Sequence, residues 1–129
     1  MADTVQTFLN YIDGAWVDPA VMKTVPVVNP ATEERIYDVA VGSKADVDKA
    51  VAAARRAFET FSVTTREERI ELLGKIIEAY KARAKDIALA ISDEMGAPMM
   101  LAERAQAGSG LGHLMSTLQV LKDYHFEEK

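Results

Sequence analysis

The sequence contains no cysteine. That excludes disulfides, thiolate metal sites and a cysteine nucleophile within these residues. Histidine is scarce, with only His113 and His125 present. Their separation matches no common zinc spacing and no thiolate is there to complete a set, so a transition-metal site is not expected. Apolar runs stay well short of the ~20 residues a membrane-spanning helix needs. The opening stretch MADTVQTFLNY lacks the basic start and apolar block of a secretory signal. No membrane partner is expected, and a cytoplasmic location is the default expectation. Basic residues are outnumbered, 15 against 20 acidic, for a net charge of −5. Lys81, Arg83 and Lys85 form the only dense basic group, and acids flank it. Nothing forms a stripe that could track a phosphate backbone, so nucleic acid is not an expected partner.

What is present is the profile of a globular domain. Of 129 residues, 49% are hydrophobic and 27% charged, and a chain of this size can bury a real core. Asp13-Gly14 sits between two β-prone runs, a favoured two-residue hairpin turn. It predicts strands over Phe8–Ile12 and Ala15–Val17, with Trp16 on the buried side. Val25–Val28 predicts an edge strand, because Pro26 cannot donate to a ladder. Asn29-Pro30 opens a turn, and Tyr37–Val41 returns as a strand ending at Gly42. Ser43 and Asp46 form a capping-box pattern ahead of a helix. Its apolar stripe is Val47, Ala50, Val51, Ala54, Phe58 and Phe61.

Thr65 and Glu68 repeat that cap for a second helix, apolar at Leu73, Ile76, Ile77, Tyr80, Ala84, Ile87, Ala88, Ile91 and Met95. The pattern runs for roughly thirty residues, about 45 Å if straight, and a break near Arg83–Asp86 is expected. Gly96 suits its C-terminal end and Pro98 the start of the next helix. That last helix, about Pro98 to Tyr124, carries Gly108, Gly110 and Gly112 at its centre, each costing ~1 kcal/mol relative to alanine. Close approach of another backbone or a bound group would justify the loss. Its flanks are apolar on most sides, so it calls for cover on most sides. The chain by itself thus reads as α+β, N-terminal β-hairpins followed by three to four amphipathic helices.

No catalytic constellation stands out. The Gly-Ser-Gly-Leu-Gly run of residues 108–112 has neither the spacing nor the strand-to-helix context of a dinucleotide loop, so helix packing is its better reading. The neighbouring acids Glu33-Glu34, Glu67-Glu68 and Glu127-Glu128 do not face one another if helical. Glu67 and Glu68 suit the positive end of a helix instead. Asp93 and Glu94 are different, because acids in a last helical turn oppose the macrodipole. Surface tolerance explains them, or one carboxylate reaches a turn or helps hold a cation.

In order, YIDGAWV, then VVNPATEERIYDVAVGSKADVDKAVAAARRAF, then TTREERIELLGKIIEAYKARAKDIALAISDEMGAP resemble the N-terminal portion of the aldehyde dehydrogenase superfamily. The marks are Asp13-Gly14, Asn29-Pro30-Ala31-Thr32, the Val47-to-Phe58 helix, Glu68-Arg69 and Glu94-Met95-Gly96-Ala97-Pro98. The resemblance implies an α/β fold of the aldehyde dehydrogenase type, incomplete here. Residues 1–129 would be the N-terminal part of its cofactor-binding, Rossmann-like domain, without a second domain. It implies oxidation of a small aldehyde to a carboxylic acid with NAD or NADP. A cysteine thiolate, a glutamate-activated water and an oxyanion hole would carry the reaction, and those residues lie further along a family chain.

No catalytic or cofactor-binding residue is therefore expected in this chain, which alone should be inactive. Its partners would be the remainder of the dehydrogenase chain and, at full length, further copies in a homo-oligomer. The resemblance also places Ala105 and Ser109 at substrate-tunnel positions. A structural sodium or potassium ion is implied at the Val27 and Val28 carbonyls with Glu94, oxygen donors of the kind hard cations take. The alternative is a stand-alone helical protein-interaction module derived from the same scaffold. Continuation of the reading frame into a glycine-rich loop and a cysteine-bearing segment would decide for the enzyme.

Overall fold

A computed structural model describes residues 6–127, which fall into two compact units, one within Met1–Val63 and one within Thr64–Lys129. Glu128 of the Glu127-Glu128 pair lies outside the described residues.

In the first unit, β2 (Asn10–Ile12) and β3 (Ala15–Val17) form an antiparallel hairpin. Its two turn residues, Asp13 and Gly14, have φ of 56° and 82°, the pair of positive angles a type I′ turn requires. The strand expected to begin at Phe8 is interrupted at Leu9. Thr7–Phe8 forms a separate strand, β1, pairing parallel with β5 (Arg35–Ala40). Trp16 is not on a buried side. It is 65% exposed and meets Tyr11 edge-on, the ring centroids 5.1 Å apart. The hairpin is only two strands wide, too narrow to offer an indole a covered face.

β4 (Thr24–Val28) lies at the edge of the sheet β1-β5-β4, as Pro26 requires. Val27 pairs with Tyr37 but Val28 with Arg35, so β5 carries one extra residue there. In a regular strand, residues three apart point to opposite faces. The irregularity cancels that alternation, and Arg35 Nε donates to Asp38 Oδ1 at 2.7 Å. The Arg35 guanidinium holds the buried Asp38 carboxyl below its ordinary range. Between the strands, Asn29 Oδ1 accepts the Ala31 N–H at 2.9 Å, closing an Asx turn.

Helix α1 (Lys44–Phe61) starts where Ser43 and Asp46 predict. Its large apolar residues are left uncovered, however: Val47 is 55% and Phe58 67% exposed. The helix buries Ala53 instead and packs on β2. Arg56 Nη2 donates to Asp13 Oδ2 at the hairpin tip, 2.8 Å away. Both side chains are more than half exposed, so the pair contributes between nothing and ~1 kcal/mol.

The second unit is a helical hairpin. α2 (Arg66–Met95) is one unbroken helix of 30 residues, not the two expected around Arg83–Asp86. No proline interrupts it. Ala, Lys and Arg through the expected break are strong helix formers, and Arg83 pairs with Asp86 within it. Thr65 and Glu68 close a reciprocal capping box, Thr65 N–H donating to Glu68 Oε2 at 2.7 Å. That bond draws the Glu68 carboxyl below its usual range. Gly96, with φ of 69°, ends the helix in the left-handed conformation. The returning helix comprises α3 (Met99–Leu101), a π-helical stretch Ala102–Ala107 and α4 (Gly108–Asp123).

Ala88, Ala102 and Ala107 are the buried centre of this hairpin, flanked by Ile87, Ile91 and Ala97. At its far end Arg66 donates to the carbonyls of Lys122 (3.2 Å) and Tyr124 (2.6 Å). It satisfies acceptors that a helix end leaves open. Among the described residues no large side chain is fully buried, and apart from Ile77 and Pro19 the buried apolar residues are alanines. Each contributes one methyl of burial, worth ~0.8 kcal/mol. The apolar burial in each unit is correspondingly small.

Candidate functional site

The helical stretch around residues 102–110 gathers the unusual geometry of the second unit. Ala-Glu-Arg-Ala-Gln-Ala is built of residues that favour an ordinary α-helix, yet Ala102–Ala107 is π-helical. Such turns are rare and recur at functional sites. Ala102 and Ala107 are buried at its two ends, whereas Glu103, Arg104 and Ala105 are exposed between them. Ser109 Oγ donates to the Ala105 carbonyl at 2.6 Å. The structure thus brings the two sequence-predicted tunnel residues, Ala105 and Ser109, together on one exposed stretch. Because the Ser109 hydroxyl is spent on its own helix, the pair presents chiefly small apolar surface.

Tyr80, which the sequence offers only as an apolar position of α2, turns out to be the partner of this stretch. Its hydroxyl donates to the Ala107 carbonyl at 2.9 Å. Its ring lies where a side chain on Gly110 would go: a Cβ there would overlap the hydroxyl and stand 2.9 Å from Cζ. Close approach does explain one of the three central glycines, but the approaching group is a side chain, neither backbone nor ligand. Gly112 has nothing within 4 Å of its would-be Cβ. The signal was present in the sequence as Gly110, but nothing local tied it to Tyr80, thirty positions earlier.

The other predicted ligands fall in separate units. Val27 and Val28 sit at the irregular register of β4 in the first. Glu94 is exposed in the last turn of α2 in the second, one residue after the half-buried Asp93. His113 and His125 are both exposed. Among the described residues no group of three or more His, Cys, Asp or Glu is placed to hold a metal ion. No described helix is long and apolar enough to cross a membrane. The Gly108–Gly112 run lies inside α4, so its amides are engaged in the helix and do not fit a dinucleotide pyrophosphate, which needs a strand-to-helix turn.

Asp46 has the most elaborate polar environment in the first unit. It is 3% exposed. Oδ2 accepts the Ser43 hydroxyl at 2.7 Å and the Ser43 N–H at 2.8 Å, and Oδ1 accepts the Ala20 N–H at 2.9 Å. These bonds, the Ser43 hydroxyl foremost, hold its carboxyl below the ordinary range. The carboxylate faces a groove of about 320 Å³ lined also by Asp13, Lys49 and Arg56. Its three hydrogen bonds all come from the protein's own backbone and cap, which makes it a structural tether between α1 and the segment after β3.

The aldehyde dehydrogenase family model matches residues 16–128. The chain belongs to the aldehyde dehydrogenase family. Among its relatives, a putative aldehyde dehydrogenase of Staphylococcus aureus (strain bovine RF122 / ET3-1) is 49% identical over 119 residues, 92% of this chain and 25% of its own length. A 3-succinoylsemialdehyde-pyridine dehydrogenase of a Pseudomonas species is 45% identical over the same share of each. The crystal structure of an aldehyde dehydrogenase from Bartonella henselae is 38% identical, with a TM-score of 0.93 over 97% of this chain and 26% of that one. Aldehyde dehydrogenase C of Pseudomonas syringae, solved as a mutant with NAD+ and octanal, is 43% identical with a TM-score of 0.90. It covers all of this chain and 26% of its own. The chain spans about a quarter of the length of the curated relatives it matches. It corresponds to an N-terminal portion of the aldehyde dehydrogenase fold, and its small α+β architecture is that of an incomplete member.

Proposed function

We propose that this chain is the N-terminal scaffold of an NAD(P)-dependent aldehyde dehydrogenase that oxidises a small aldehyde to a carboxylic acid. It would form part of the enzyme's cofactor-binding domain and have no activity by itself. The observation that carries this reading is a family match over residues 16–128 in a chain without cysteine. A family chemistry that proceeds through a thiolate has no nucleophile among these residues. Relatives solved with NAD+, including the Pseudomonas syringae enzyme and a betaine aldehyde dehydrogenase of Staphylococcus aureus, support the cofactor class. The Gly108–Gly112 run lies inside α4 and does not offer the strand-to-helix turn a dinucleotide takes, so the cofactor's site would lie in the remainder of the enzyme.

What the chain supplies is positioning. Ala105 and Ser109, both small and with the serine hydroxyl turned onto its own helix, would line the substrate's path with little bulk. The decisive assay is formation of reduced NAD(P) by the purified 129-residue chain, free of any full-length enzyme, across short and long aldehydes. No formation above background is expected; steady turnover would overturn the reading.

The exposed apolar residues give a second expectation. Val47 and Phe58 of α1, and Leu101, Met115 and Val120 along the returning helix, are all exposed and would be covered by the rest of the dehydrogenase. The isolated chain should self-associate in sedimentation and bind an apolar dye. A compact monomer with cooperative unfolding would count against the scaffold and in favour of an independent interaction module.

A further inference from the structure

We propose that Tyr80 is a positioning residue: it holds the Ala102–Ala107 stretch in π-helical register and so fixes the direction in which Ala105 and Ser109 face. The proposal rests on the reading of Ala105 and Ser109 as substrate-facing. The local sequence does not ask for a π turn, because alanine, glutamate, arginine and glutamine all favour the α form. A tertiary contact must therefore supply the bias, and one is present.

Tyr80 Oη donates to the Ala107 carbonyl, the last residue of the π stretch, at 2.9 Å. The same ring fills the space beside Gly110, three residues on and so on the same helix face one turn later. A single tyrosine from α2 thus grips the returning helix at two successive positions. The other end of the stretch is fixed independently, by Ala102 packed against Ala88. Between these anchors the exposed residues Glu103–Ala105 have no described contact that chooses their register for them.

Register matters because one residue corresponds to about 100° of rotation about a helix axis. Were the stretch to relax to α geometry, residues on one side of it would turn by that amount relative to the other. Ala105 lies within the stretch and Ser109 two residues past its end, so their joint surface is set by which register holds. The bond from Ser109 Oγ to the Ala105 carbonyl couples the two residues but does not select between registers, because both lie on the returning helix. Tyr80 reaches it from the opposing helix and can select.

The test uses a full-length dehydrogenase carrying this chain as its N-terminal quarter. Tyr80→Phe keeps the ring and removes the donor. Amide exchange at residues 107–111 should then accelerate by roughly fivefold, the effect of losing one ordinary hydrogen bond. The ratio of kcat/KM between a long and a short unbranched aldehyde should shift at least about threefold, through KM with kcat little changed, as expected when binding along the substrate's path rather than at the reacting centre is altered. Arg66→Ala serves as the control for general destabilisation. It frees carbonyls at the other end of the hairpin, so it should lower Tm and leave the aldehyde ratio alone. Ala105→Leu places bulk directly on the proposed path. Unchanged exchange in Tyr80→Phe overturns the register lock. A shifted ratio in Ala105→Leu with none in Tyr80→Phe overturns the positioning role while the substrate-path reading stands. No shift in either variant overturns the substrate-path reading, and the positioning role with it.

Discussion

Gly110→Ala is expected to destabilise the second unit by about 1–2 kcal/mol, whereas Gly112→Ala, two residues further along the same helix, should stabilise it by roughly 1 kcal/mol. Helix propensity favours alanine equally at both places, so the difference comes from surroundings alone. Beside Gly112 there is open space, and the propensity gain is realised in full. Beside Gly110 the new methyl would occupy the position of the Tyr80 hydroxyl and crowd Cζ. The tyrosine could move aside, but only by giving up its bond to the Ala107 carbonyl and the ring's packing, which together outweigh the propensity term. Urea unfolding of the two variants beside the parent is the measurement. It should be made at one fixed protein concentration, since self-association shifts the midpoint. Equal stabilisation by both substitutions would falsify the close contact between Tyr80 and Gly110.

Asp46→Ala should be the most damaging side-chain truncation in the first unit, lowering its unfolding midpoint by about 5 °C or more. The carboxylate takes three hydrogen bonds while nearly inaccessible to water. Its removal leaves the Ala20 and Ser43 N–H groups without their acceptor in a place where solvent reaches poorly. It also uncaps α1 and unties that helix from the segment after β3. The charge gives the effect a pH signature. The folded carboxyl titrates below the ordinary value of an aspartate. Its stabilising contribution is therefore complete above that value and disappears as pH falls through the lower, folded one. Asp38 and Glu68 are shifted in the same direction and add to loss of structure in that acid range. Asp46→Asn should flatten the acid limb of the stability profile, because its contribution no longer titrates. An acid limb identical to the parent's would show that Asp46 is not among the groups that set it.

Features coded by neighbours in sequence were legible. The Asp13-Gly14 turn, the Pro26 edge strand, both capping boxes and the Gly96 terminus all depend on residues within four positions of one another, and each stands where expected. What escaped was coded across distance. Trp16 and the Val47-to-Phe61 stripe have the periodicity of buried faces, but periodicity says only that a side wants cover. Among the described residues that cover is absent. The expected break in α2 failed for a related reason. A thirty-residue run looks too long on average helix length, yet nothing in residues 83–86 actually interrupts a helix. The candidate site was half legible. Family resemblance pointed to Ala105 and Ser109, while Tyr80, the residue that braces their helix, carried no local signal because its meaning depends on Gly110.

The alanine-lined seam of the helical hairpin also inverts the usual direction of mutational harm. In a core of leucines, damage comes from truncation and the cavity it leaves. At Ala88 and Ala102, both 0% exposed, there is almost nothing to truncate. Two helices meeting through methyl groups sit near the short end of the usual 8–10 Å separation. Here harm comes from enlargement, since even a valine must force the backbones apart. Substitutions that add bulk would be poorly tolerated along this seam, while the large, exposed side chains outside it could be cut back with little consequence to the hairpin itself.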